Sequence, residues 1–243
     1  FLGCSGLEEI VLPESVTAVE SYAFAECTGV RRVVWGQGIK RVGVGAFSGC
    51  ASLAGITLPA QVGRVEDQTF EHCSGLANVA FGGNAVTNIG VGAFSGCKGL
   101  TDLAIPASVT KVGSWAFSEC VGLTGIAVPA TVNDIGAFAF SGCMRLSAIT
   151  VDPANATYSS QDGILFNKSM TALIRCPSGK SGSYVIPPGT VTLADEAFLG
   201  CYALSRIDLP ASVASLGTYV FEGCSSLSAI GVDAANGDFA SQE

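Results

Sequence analysis

Charge is scarce in this sequence, and its scarcity removes several function classes at once. Only 13% of the 243 residues are charged, 12 basic and 20 acidic, for a net charge of −8. Nucleic-acid recognition needs clustered Lys and Arg. The one small basic group, Arg31, Arg32, Lys40 and Arg41, reads as a solvated patch. Long apolar runs are missing too. The mean hydropathy is +0.48, yet no run approaches the roughly 18 apolar residues of a spanning helix, so no membrane insertion is expected of this stretch. No paired Cys-x-x-Cys is present, which argues against a structural metal centre. Histidine is reduced to His72. No phosphate-binding glycine loop, Gly-x-Ser-x-Gly elbow or His-Glu-x-x-His occurs, and the carboxylates are scattered. No enzyme, cofactor or metal is expected. The chain opens without Met at Phe1, inside a motif that recurs later. It closes at Glu243 inside a segment like the one that begins at Val151, so it is expected to be a fragment of a longer protein.

What the sequence has instead is a period. Phe-x-x-Cys occurs at Phe1/Cys4, Phe24/Cys27, Phe47/Cys50, Phe70/Cys73, Phe94/Cys97, Phe117/Cys120 and Phe140/Cys143, then at Phe198/Cys201 and Phe221/Cys224. Three residues after each Cys a strand-like segment opens, as in Leu53-Ala-Gly-Ile56-Thr-Leu58 and Leu100-Thr-Asp-Leu103-Ala-Ile105. Its apolar residues two apart suit a half-buried strand. Pro13, Pro59, Pro106, Pro129 or Pro210 then stops it, because Pro has no N–H to extend a ladder. A second apolar pair follows, such as Val16/Val19 or Val109/Val112, before the chain runs into Ala-Phe. One such unit cannot bury its own apolar face, so stacked units must share a continuous core. The spacing predicts a single solenoid over residues 1–243 of about ten coils, interrupted by a longer repeat over residues 151–186.

The pattern Leu-x-x-Ile-x-Leu-Pro, Val-x-x-Ile-Gly, Ala-Phe-x-Gly-Cys resembles the leucine-rich repeats of BspA-like, or Treponema-type, surface proteins. Val151-Asp-Pro, Tyr158, Asp162-Gly-Ile-Leu165 and Leu173-Ile-Arg-Cys-Pro177 resemble that family's longer inserted repeat, and Val232-Asp-Ala-Ala-Asn-Gly-Asp-Phe239 the start of a second one. The resemblance implies a curved leucine-rich-repeat solenoid. Short parallel strands would line one face, with turns and short extended or 3-10 segments on the other. It also implies a cell-surface or secreted location and a non-enzymatic scaffold that binds host or matrix protein, or glycan. A structural spacer and an intracellular protein-binding scaffold are the alternatives.

Nine cysteines share one repeat position and are expected as free, buried thiols in a ladder, with Cys176 outside the register in a structural role. The nine phenylalanines of the motif are expected as a core stack. His72 stands where other repeats have Gly49, Gly96 and Gly142, which places it in a tight turn near the surface. The sequons Asn155-Ala-Thr157 and Asn167-Lys-Ser169 read as chance. Binding candidates come from the outward strand columns. One contains Glu9, Arg32, Asn78 and Asp102; the other contains Thr57, Ala104 and Thr150. Their small side chains suit either close approach of a partner or a surface under no binding demand. Trp35 fills an apolar slot and is assigned to the core, whereas Tyr22 and Trp115, just before Ala-Phe, are candidate surface contacts. The insert from Asp152 to Tyr184 is a second candidate surface, because departures from a repeat often lie on a binding face.

Overall fold

Stacking is what a 23-residue unit with one apolar stripe requires, and the computed structural model, which describes residues 1–239, shows it. Each ordinary coil contributes two short extended segments. The first ladder contains β1 (Glu9–Val11), β3 (Arg32–Val34), β5 (Gly55–Leu58), β7 (Asn78–Phe81), β10 (Gly125–Val128), β12 (Ala148–Val151), β16 (Ser181–Val185), β18 (Ala203–Leu209) and β20 (Ala229–Val232). The second contains β2 (Ala18–Val19), β4 (Arg41–Val42), β6 (Arg64–Val65), β8 (Asn88–Ile89), β9 (Lys111–Val112), β11 (Asp134–Ile135), β17 (Thr192–Leu193) and β19 (Ser215–Leu216). Pairing within both ladders is parallel and joins equivalent residues, with Glu9 opposite Arg32 and Ile10 opposite Val33. The segment around Leu103 keeps only a single bridge, Ala104 to Ala127. No 3-10 helix occurs among the described residues; turns fill the space between the ladders.

A third ladder runs through the Phe-x-x-Cys turn. Alternate N–H groups of one coil donate to the next, as Tyr22, Phe24 and Glu26 do to the carbonyls of Val44, Ala46 and Ser48. That turn needs a left-handed residue two before and two after each Phe. Gly45 and Gly49 supply them in one coil, Gln68 and His72 in the next. Any residue other than Gly there costs about 1–2 kcal/mol, so most of the second column is Gly. His72 is exposed, in the turn expected of it.

Inside, the Phe rings from Phe1 to Phe140 stack in sequence at 5.2 to 5.8 Å, within 14° of parallel. Beside them each Cys Sγ donates to the carbonyl of the Phe one coil back. Cys50 reaches Phe24 at 3.2 Å and Cys143 reaches Phe117 at 3.0 Å. The thiol is a small apolar filler that also satisfies a buried acceptor. All ten cysteines are free. Two expectations change at the ends of the stack. Cys4 is exposed and Cys224 half-buried, and Phe1 is 77% exposed while Phe221 is half-buried, since the described residues place a coil on one side of each. Trp35 is partly buried with its ring edge-on to Phe47 at 5.6 Å.

The insert departs from the all-parallel expectation. Strands β13 (Tyr158–Gln161), β14 (Ile164–Asn167) and β15 (Ala172–Arg175) form two antiparallel pairs. Asp162 and Gly163, at φ of 53° and 77°, make the two-residue hairpin turn. Alternation along β14 splits the core. Leu165 packs with the first seven coils, while Ile164 and Phe166 pack with the coils that follow. Cys176 also differs from expectation. Its N–H donates to Ala197, as a Phe in this turn does, so its backbone takes the Phe place of the interrupted coil.

Two outcomes follow. Phe94→Ala, mid-stack and fully buried, should lose about 3–5 kcal/mol by urea unfolding, and Phe1→Ala far less; equal losses would contradict a one-dimensional stack. Burial pushes the Cys50 and Cys143 thiols up from the ordinary 9.0 to about 12. The unfolded chain therefore releases these protons first as pH rises. Their stabilising contribution is complete below pH 9 and disappears towards pH 12. Melting temperature should fall over that window, and less steeply in Cys50→Ala.

Candidate functional surfaces

The sheet face follows from strand alternation. Ile10, Ile56, Ile126 and Ile149 point into the core, so their neighbours point out. Thr57, Asn78, Asp102 and Ala104 come together there. With Val33, Trp35, Gly55, Val79 and Ala80 they line an open groove of about 570 Å³ spread over four coils. Gly55 and the alanines keep its floor low, and Trp35 closes one end. Its indole Nε1 is buried without a partner among the described residues. Glu9 and Arg32 lie on the same face but are occupied with each other at 2.5 Å. Thr150 lies further along the same column, in β12. Tyr22 and Trp115 are exposed but belong to a different edge, the left-handed column before Ala-Phe. Tyr22 spans Gly45 to donate to Gln68 Oε1 at 3.3 Å, and Trp115 stacks on Phe138 at 5.3 Å. The nine sequence candidates therefore divide between two surfaces.

At the insert the ladders end and side chains cap them. Tyr158 Oη accepts the Ile135 N–H at 3.0 Å, and Ser160 Oγ accepts the Val151 N–H at 2.9 Å. Arg175 is 8% exposed. It donates to the carbonyls of Glu196 at 2.7 Å and Leu199 at 3.1 Å. It thereby replaces an N–H that an ordinary coil would have offered to Leu199. Its role carried no sequence signal, since it stands outside the period. The hairpin turn did carry one, in Asp162-Gly163.

Asn155 shows why its sequon is structural. It is fully buried; Nδ2 donates to the carbonyls of Pro129 and Val132, and Oδ1 accepts the N–H groups of Thr157 and Tyr158, all at 2.8 Å. Asn236 repeats this geometry with Pro210 and Val213, so the turn over residues 233–239 folds as the one over residues 152–158 does.

Beside the insert lies a cleft of about 460 Å³ bounded by Ile135–Phe140 on one side and 194–196 with Thr218 and Tyr219 on the other. Burial raises the Glu196 carboxyl above its ordinary value against the opposing pull of Arg175.

The model of the BspA type leucine-rich repeat region matches residues 1–120, 76–181 and 177–238, and the chain belongs to that family. Among solved structures it is similar to a leucine-rich cell-surface protein from Faecalibacterium prausnitzii, at 34% identity and a TM-score of 0.81, covering 93% of this chain and 60% of that one. The pneumococcal vaccine antigen PcpA shares the fold at 24% identity and a TM-score of 0.67, over 94% of this chain and 61% of that one. So does a leucine-rich repeat protein from Bacteroides ovatus, at 21% identity and 0.64, over 93% and 67%. The chain thus spans about three fifths of the length of the first two. No curated protein matches it.

Asn155→Ala should cost about 2–4 kcal/mol, because two carbonyls and two N–H groups lose their partner together. Thermal unfolding checks this, and a loss below about 0.5 kcal/mol would show that these bonds are dispensable.

Proposed function

We propose that this chain is a non-enzymatic protein-binding scaffold on a bacterial cell surface, engaging a macromolecular partner across several coils. The observation that carries the reading is the sheet-face groove. It is shallow, assembled from four coils, and lined by small side chains with Thr57, Asn78 and Asp102 as its polar contacts. Such a surface suits an extended partner better than a small molecule enclosed on all sides. Chemistry is poorly provided for. The mid-stack thiols are buried with raised pKa, which denies them thiolate character, and the single histidine is exposed on a turn. The surface location draws on the name of the Faecalibacterium relative, a cell-surface protein. Among the described residues no helix is long and apolar enough to cross a membrane. Adhesion to a host or matrix protein is the finer form of the same reading.

The test compares wild type with Thr57→Glu/Asn78→Glu/Ala104→Glu against the partner that wild type captures by cross-linking. The triple variant should keep its melting temperature within a few degrees, since all three sites are exposed, and lose at least about tenfold in affinity. Full affinity in a folded variant would remove the sheet face as the site. Turnover of a captured small molecule would overturn the scaffold reading. Antibody labelling of intact cells carrying the full-length protein tests its location.

A further inference from the structure

The insert does not separate the coils evenly. At the Cys corner the chain closes directly onto coil seven, where the Gly179 N–H donates to the Leu146 carbonyl at 2.8 Å. At the Phe turn it does not close. In each of the five complete coils from Tyr22 to Glu119, three alternate N–H groups of this turn donate to the coil above. In coil seven the equivalent groups belong to Phe138, Phe140 and Gly142, and among the described residues they donate to nothing. The coil across the gap is partly served from within, by the Cys176 N–H to Ala197 and by Arg175 to Glu196 and Leu199. The Asp195 carbonyl, equivalent to that of Val44, has no donor among the described residues. Arg175 Nε, in a side chain more than nine-tenths buried, lines the cleft without a partner.

Tyr158 and Ser160 cap the two strand ladders at this break, so the open turn edge is the exception. Phe138 and Phe140 line the cleft, with Gly142 two residues further along the same turn, and their N–H groups recur at alternate residues, the spacing at which an extended backbone presents its carbonyls. A converging anion site would gather its donors on one point; these run along a line. The side-chain environment adds direction. Ile135 and Phe138 offer an apolar wall, while Asp195 and Glu196, with Glu222 close enough to act on Glu196, place three carboxylates opposite the one guanidinium, which is already committed to carbonyls.

We propose that this cleft binds an extended segment of a partner protein, which takes the place of the missing coil turn. Its carbonyls accept from Phe138, Phe140 and Gly142, one N–H donates to Asp195, and a lysine or arginine side chain meets Asp195 and Glu196. This is strand addition at an open edge, at a position the sheet-face reading does not involve and on which it does not depend.

The experiment uses backbone amide NMR of the whole chain with two capped hexapeptides at a few millimolar, one of alternating lysine and valine and one of alternating glutamate and valine. The expected result is a downfield shift of the Phe138, Phe140 and Gly142 amide protons with the lysine peptide. Affinity should fall about fivefold in Asp195→Asn/Glu196→Gln and vanish in Ala137→Arg, which fills the cleft from an exposed position. Shifts confined to Thr57, Asn78 and Asp102, no shift at the three turn amides, or equal binding of the glutamate peptide would each overturn the proposal. Loss of partner binding in the sheet-face triple variant leaves these shifts unchanged, so the two readings fail separately.

Discussion

Every side chain in a solenoid sits about one strand spacing from its own copies above and below, and that constraint decides which residues are acceptable. A charge would face a like charge in each neighbouring coil, which destabilises a ladder. Hence the low charge content, and hence the form charge takes where it does occur. Glu9 meets Arg32, Glu20 meets Arg41 and Lys111 meets Asp134, each pair bridging adjacent coils with opposite signs. Residues that tolerate self-stacking fill the interior. Phe does so through offset rings. Cys does so because its thiol bonds to backbone one coil back instead of to the next thiol. The in-register thiols of the inner coils are therefore a packing device, buried and bonded to backbone.

The same constraint explains what was legible in the sequence. A position that recurs every 23 residues announces its environment by repetition, so the Phe and Cys columns, the alternating strand and the outward columns through Asn78 and Thr57 could be read directly. The weaker packing of Phe1 could be read from its place at the end of the repeat, but the exposure of Cys4, which carries the same motif letters as Cys97, could not. The insert was the least legible part, because a segment outside the period has no copies to compare. Asp162-Gly163 is a hairpin-type dipeptide that the repeat reading passed over, and nothing in the letters Leu173-Ile-Arg-Cys distinguished the buried, carbonyl-binding Arg175 from a solvated one. Trp115 and Tyr22 show a related limit. Sequence identified their slot as exposed but not that it lies on a different edge from the strand columns.

A repeat and its interruption offer a partner different things. The sheet face offers similar small side chains coil after coil, so contact there grows with length and discriminates weakly. The interruption offers a place where the register of donors in the Phe turn is broken. At that place the protein has supplied Tyr158, Ser160 and Arg175 to cap three of the broken ends. Each of these residues is long enough, or placed close enough, to reach across a gap that backbone alone no longer bridges. The donors of Phe138, Phe140 and Gly142 remain, because the chain returns onto coil seven at the Cys corner, through Gly179 and Leu146, and not at the Phe turn. Regular stacking gives the fold its stability, and the break after coil seven is where the described residues depart from that regularity most.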